Sequence, residues 1–145
     1  MLKTATLPVE KLTLGDQPFS LDDSRYTVLY FYPEDDTPGC TVEANEFQQL
    51  KSSFDRAGIR IVGVSVDGDS SHRAFCEKFA LAFELATDPG GILGRELGIL
   101  KLLGNRHKRV TFVVDRDGKV VLEYPEVKAM GHARQILEDI ARVRD

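Results

Sequence analysis

Tyr26-Thr27-Val28-Leu29-Tyr30-Phe31-Tyr32 is an unbroken run of β-branched, aromatic and aliphatic residues, and Thr37-Pro38 follows closely behind it. A run with no polar alternation predicts a strand covered on both faces, and so one near the centre of a sheet. Thr37 suits a helix N-cap and Pro38 the first helical position, after which Ala44, Phe47 and Phe54 recur at helical spacing. A helix is therefore predicted from about Pro38 to Phe54. Gly58 to Val66 reads as a second buried strand. Asp67 to Ser71 supplies turn and capping residues before Phe75 and Phe79 mark another helix. Strand, helix, strand, helix in this order implies right-handed crossovers, mainly parallel pairing and helices on the sheet faces.

Working outward, Phe83 to Thr87 predicts a short strand and Gly90 to Gly98 a short helix weakened by glycine. Arg109 to Val114 and Lys119 to Tyr124 flank Asp115-Arg116-Asp117-Gly118, the pattern of an antiparallel hairpin turned at Asp-Gly. Ile136, Leu137, Ile140 and Val143 stripe a closing helix. Toward the N-terminus, Leu12-Thr13-Leu14 and Phe19-Ser20-Leu21 around Gly15-Asp16 suggest a small extra hairpin. A parallel βαβ half, a hairpin and a final helix give the element order of the thioredoxin fold. The expected class is α/β, with a central mixed sheet flanked by helices and a short N-terminal extension. With no linker or repeat, residues 1–145 read as one domain.

The chain is 42% hydrophobic and 29% charged, which fits a folded soluble protein rather than a disordered one. Its net charge of -4 offers no basic field to attract nucleic-acid phosphates or an anionic membrane, so neither is an expected partner. The opening Met1 to Pro8 has no apolar stretch of signal-peptide length, and no later segment is long enough to span a bilayer. The cytosol is the expected compartment. There, two cysteines are more often buried thiols, metal ligands or redox groups than a permanent cross-link.

Cys40 falls three residues after Thr37, in the first turn of the predicted helix. Backbone N–H groups without intrahelical partners and the positive end of the helix dipole both favour a thiolate, the form that attacks. Cys40 and Phe47 lie seven residues apart on one helix face, which places the sulfur at the edge of the core. The alternative is a small apolar residue that happens to begin a helix. Against it stands the preceding loop, Pro33 to Gly39, just past a central strand where open α/β sheets place their sites. Gly39 would let a ligand approach the backbone closely.

The run YFYPEDDTPGCTVEA from Tyr30 to Ala44 resembles the active-site segment of peroxiredoxins, specifically the Q subfamily, also called bacterioferritin comigratory proteins. Pro33, Thr37 and Cys40 match the family's Pro-x-x-x-Thr-x-x-Cys spacing, and Arg109 ahead of Val110-Thr111-Phe112 matches its distant arginine. The similarity extends from about Tyr26 to Leu137, through Gly131-His132-Ala133. Gly15-Asp16-Gln17-Pro18-Phe19 is one residue shorter than the family's opening pattern, which leaves the N-terminal strand layout open.

The resemblance implies a thiol peroxidase that reduces hydrogen peroxide and organic hydroperoxides without a cofactor or metal. In it Cys40 is the peroxidatic nucleophile, Thr37 orients the peroxide, Arg109 stabilises thiolate and transition state, and Pro33 shields the pocket. Glu43 is expected to orient Arg109 through a bidentate pair, although a first-turn glutamate also simply complements a helix dipole. Many relatives carry a second cysteine five residues after the first, where this chain has Asn45. The only other thiol, Cys76, resembles the resolving cysteine of the branch that carries it on the next helix. Forming that disulfide would need a helix to unwind locally. Beside Phe75 on an amphipathic helix, Cys76 also reads as an ordinary packing residue. Thioredoxin or a similar dithiol protein is the implied reductant, and a monomer the implied state.

Other readings are weaker. A thioredoxin-fold binding module with an inert Cys40 is the main alternative from a different class. His72 and Cys76 at i, i+4 could offer two metal ligands but no full set. His72, His107 and His132 are expected to face solvent. The chain has no Cys-x-x-Cys, and His107 has no evident orienting carboxylate, which disfavours a disulfide oxidoreductase or a Cys-His hydrolase.

Overall fold

The computed structural model describes residues 5–143. In chain order the elements are β1 (Thr13–Leu14), β2 (Gln17–Pro18), β3 (Tyr26–Phe31), α1 (Pro38–Gln49), α2 (Lys51–Arg56), β4 (Ile59–Ser65) and α3 (Asp69–Phe79). They continue with β5 (Glu84–Thr87), α4 (Ile92–Leu97), β6 (Val110–Val114), β7 (Val120–Tyr124) and α5 (His132–Val143). One seven-stranded sheet runs in the order β2-β1-β5-β4-β3-β6-β7. The pairs β3–β4 and β4–β5 are parallel, while β3–β6, β6–β7, β1–β2 and β1–β5 are antiparallel. This is a mixed α/β sheet of thioredoxin-like type.

The unbroken apolar run explains itself in the packing. Val28, Tyr30 and Tyr32 face one core with Cys40, Phe47, Phe75 and Ile136, while Leu29 and Phe31 face a second with Leu12, Phe19, Leu93 and Phe112. Alternate residues of β3 point to opposite faces. Both faces are covered, so Val28 to Phe31 are all hydrophobic and buried. Helices α1, α2, α3 and α5 lie on the first face, which gathers the two cysteine-bearing helices over one cluster.

Three details differ from the sequence expectation. The helix predicted to Phe54 is two helices, because Leu50 leaves helical geometry at φ -99°, ψ 6°. Apolar spacing misses a single such residue, since Phe54 still returns to the core. Val143 is 44% exposed, so the buried stripe of α5 ends at Ile140. The small N-terminal hairpin is present, but its second strand is Gln17–Pro18 rather than Phe19 to Leu21, and Thr13 also pairs with Thr87, covering the edge of β5. Among the described residues no helix is long and apolar enough to cross a membrane.

Gly63 sits opposite Tyr30 in the β3–β4 register. A Cβ there would lie 2.8 Å from Leu85 Cδ2 and 2.8 Å from Tyr30 Cζ. Gly63→Ala is therefore expected to lower the unfolding free energy by about 1–3 kcal/mol through overpacking. Urea titration of the reduced protein checks this; an unchanged midpoint would mean that Tyr30 and Leu85 yield freely.

Candidate active site

Helix α1 begins as its sequence suggests, with Thr37 extended at φ -105°, ψ 157° and Pro38 in the first turn. Cys40 is 1% exposed and packs in the same cluster as Ala44 and Phe47. Thr37 takes the N-cap position through its backbone alone. Its hydroxyl donates to the carbonyl of Glu34 at 2.9 Å and makes no capping bond. The first-turn N–H groups near Cys40 are thus left without a side-chain cap.

Arg109 stands immediately before β6, the neighbour of β3, and that placement carries it across to α1. Its Nη1 lies 3.6 Å from Cys40 Sγ and donates to Glu43 Oε1 at 2.7 Å. The pair is a single-point contact rather than the expected bidentate one, because Glu43 Oε2 is buried without a hydrogen-bond partner. A bidentate fork would turn a second nitrogen toward Glu43, whereas here one nitrogen serves both carboxylate and sulfur. A Cβ on Gly39 would come within 2.9 Å of Arg109 Nη2. The glycine therefore makes room for the guanidinium, where the sequence had suggested close approach of a ligand.

Burial raises the Glu43 carboxyl to about 7 against the opposing pull of Arg109. For Arg109, burial works against the charge, but Glu43 and then Cys40 outweigh it and hold the guanidinium above its ordinary value.

The loop ahead of Cys40 is tied down by polar contacts. Tyr32 Oη and Ser71 Oγ donate to the Asp35 carboxylate, and His72 Nδ1 lies 2.8 Å from Asp35 Oδ2. The Asp35 backbone N–H donates to Asp67 Oδ2 at 2.8 Å. Arg106 bonds Asp67 Oδ1 at 2.7 Å and the carbonyl of the half-buried Pro33 at 3.4 Å.

All three histidines are buried rather than solvent-facing. His107, for which the sequence showed no carboxylate, has Asp88 2.8 Å from its Nε2, and Asp88 also accepts from the N–H groups of Leu93 and Gly94. His132 Nε2 lies 2.8 Å from Thr111 Oγ1, and burial first, then Arg109, lowers its pKa to about 4. These partners sit 37, 19 and 21 positions away, so no local spacing signals them.

Cys76 lies on α3, half-buried against the cluster that contains Cys40; both thiols are free. Burial and then the nearby Asp35 charge raise the Cys76 thiol pKa. Cys76 opens onto a surface groove of about 510 Å³ that Leu81, Phe83 and Leu85 also line. His72, one turn before it, meets Asp35 and the carbonyl of Ala86.

Residues 3–123 match the model of the AhpC/TSA family. Peroxiredoxin Bcp of Xanthomonas campestris is 41% identical over 118 residues, covering 77% of this chain and 74% of the relative. Peroxiredoxin Bcp of Bacillus subtilis is 38% identical over 122 residues, 80% of this chain and 78% of the relative. Among solved structures, the Xanthomonas campestris bacterioferritin comigratory protein, studied for its alkyl peroxide reduction activity, superposes with a TM-score of 0.83 at 36% identity over 92% of this chain and 90% of that one. Peroxidoxin BcpB of Mycobacterium tuberculosis gives 0.84 at 31% identity over 100% of this chain and 99% of that one.

The Glu43 geometry makes folding depend on pH. With its carboxyl raised from 4.5 to about 7, the folded state holds the proton more tightly than the unfolded chain does. That contribution is fully present below pH 4.5 and is lost as pH rises through 7. Glu43→Gln should therefore gain on the parent protein across this window, by about 3 kcal/mol in total. Urea unfolding of both proteins from pH 4 to 8 measures the gap. A gap that stays flat would show that Glu43 ionises in its ordinary range.

Proposed function

The chain belongs to the AhpC/TSA family, as a thiol peroxidase among the peroxiredoxins of the Bcp and Q type, and from that premise we propose which residues carry the reaction and in what order. The supporting observation is the position of Arg109 Nη1, shared between Cys40 Sγ and Glu43 Oε1 at the first turn of α1. Cys40 is the peroxidatic nucleophile. Arg109 and the uncapped first-turn N–H groups stabilise its thiolate and the negative charge that develops on the peroxide oxygens. Glu43 holds the guanidinium in that place from one turn along.

Thr37 orients the substrate. Its hydroxyl hydrogen is committed to Glu34, so its oxygen lone pairs are left to accept the peroxide O–H. Pro33 closes the pocket on the loop side. In the first step the Cys40 thiolate attacks the terminal oxygen of a hydroperoxide, ROOH. An S–O bond forms, the O–O bond breaks, and the departing alkoxide or hydroxide takes up a proton to leave as alcohol or water. Cys40 becomes the sulfenic acid. Both hydrogen peroxide and alkyl hydroperoxides are substrates, the latter in keeping with the activity studied in the Xanthomonas protein.

Cys76 then displaces hydroxide from the Cys40 sulfenic acid, and water and an intramolecular disulfide result. The two thiols ride on different helices over one core cluster, which supports this pairing, and local unwinding brings their α-carbons within the roughly 7 Å that a disulfide needs. A dithiol protein, thioredoxin or one like it, reduces the disulfide and closes the cycle. The working unit is a cytosolic monomer of one domain.

Cys40→Ser should abolish peroxide consumption in an assay coupled through thioredoxin, thioredoxin reductase and NADPH, because no sulfenic acid can form. Cys76→Ser should consume one equivalent of peroxide and stop. The parent protein, given one equivalent, should lose both free thiols and gain a Cys40–Cys76 bond, read by mass spectrometry as the loss of two hydrogens. A chain-to-chain disulfide, or Cys76→Ser turning over at the parent rate, would make Cys76 a packing residue.

A further inference from the structure

Asp35 precedes Cys40 by five residues and His72 precedes Cys76 by four, and the two side chains meet in the interior with 3% and 4% exposure. We propose that the Asp35–His72 pair is a latch between the loop ahead of Cys40 and the helix of Cys76, holding the site closed for peroxide attack and opposing the opening that lets Cys76 reach Cys40. The resolving half of this rests on the role proposed for Cys76.

The connection is dense and dry. One carboxylate accepts from Tyr32 Oη and Ser71 Oγ and meets His72 Nδ1, so the end of β3, the catalytic loop and the first turn of α3 converge on it. His72 Nε2 lies 3.1 Å from the carbonyl of Ala86 on β5. A carbonyl can only accept, so Nε2 carries a hydrogen, and the Nδ1 contact needs a second one on the ring or on the carboxyl. Breaking such a buried contact costs far more than breaking one in water.

The Asp35 N–H and Asp67 Oδ2 also tie this loop to the segment before α3, but among the described residues only Asp35 and Asp36 bond to side chains of α3 itself. The α3 N-cap, Gly68, makes no side-chain capping bond, so Ser71 and His72 anchor that end of the helix. Among the described residues the loop's other bond to α3 is the ion pair Asp36–Lys78 at 2.9 Å, which is exposed and therefore weak. The loop also holds Asp36 at φ 59°, a left-handed conformation for a non-glycine residue, between Asp35 and Thr37. Release of Asp35 would loosen the turn that aims Thr37.

The latch therefore acts in opposite directions on the two chemical steps. It favours peroxide attack, which uses the ordered Thr37–Cys40 turn, and it disfavours resolution, which needs that order undone. Asp35 and His72 are positioning residues, since neither is placed against the reacting atoms.

Rapid-mixing kinetics on full-length His72→Ala and Asp35→Asn test this, with hydrogen exchange on the same reduced proteins. Asparagine keeps the shape and can donate to Nδ1, so it guards against a His72→Ala protein that fails to fold. In His72→Ala, disulfide formation from the sulfenic acid should speed up about tenfold and the peroxide step should slow about threefold or more, with Asp35→Asn in between. Exchange over residues 69–76 should quicken in both, whereas Lys78→Ala should match the parent. Ile140→Val, a loss of packing in α5, serves as the control for general destabilisation and should not split the two steps. Two steps that move together, or exchange that stays at the parent rate, would overturn the latch. Should Cys76→Ser resolve normally, the role of Cys76 fails, and the exchange data and the peroxide step still decide the latch.

Discussion

One nitrogen, Nη1 of Arg109, lies within reach of both the Cys40 sulfur and the Glu43 carboxylate, and the surrounding structure is arranged around keeping it there. A guanidinium that is four-fifths buried needs acceptors close by, and α1 supplies Glu43 Oε1 and the Cys40 sulfur from its first two turns. Gly39 has no side chain because the guanidinium occupies the space a Cβ would take. The antiparallel pairing of β6 against β3 brings Arg109 to the C-terminal end of the central strand, where α1 begins. Remove any of these and the cation loses either its position or its partners.

Burial sets the chemistry of each charged group in this neighbourhood. Glu43 has a single bond to Arg109 and one orphaned oxygen, so desolvation prevails and its carboxyl moves up to about 7. His132, buried and with the Arg109 charge nearby, moves the other way, to about 4. The same low-dielectric surroundings strengthen whatever interaction Arg109 makes with an anion at Cys40.

Polar groups inside the fold are used mainly as ties between segments. Asp35 joins β3, the loop ahead of Cys40 and α3, and Asp88 joins the start of α4 to His107 at the foot of β6. Each carboxylate is paired because an unpaired one in the interior would be very costly. The loop that carries Thr37 and the strand that carries Arg109 are thereby fixed by polar ties, with both cysteines free.

The strands from β3 to β7, the main helices, the Asp-Gly hairpin and the position of Cys40 at a helix start were legible in the chain, because each follows from local periodicity or from turn and capping residues a few positions apart. The match of Pro33, Thr37, Cys40 and Arg109 to a family pattern was legible for the same reason, as residue types at set spacings. Whether a polar side chain finds a partner is a different kind of fact. The single-point bond of Glu43, the turn of the Thr37 hydroxyl to Glu34, the room Gly39 makes for Arg109 and the burial of all three histidines depend mostly on groups brought from elsewhere in the chain. Spacing records which face a residue is on; only the packed sheet decides what stands opposite it, and with it where charge can be buried.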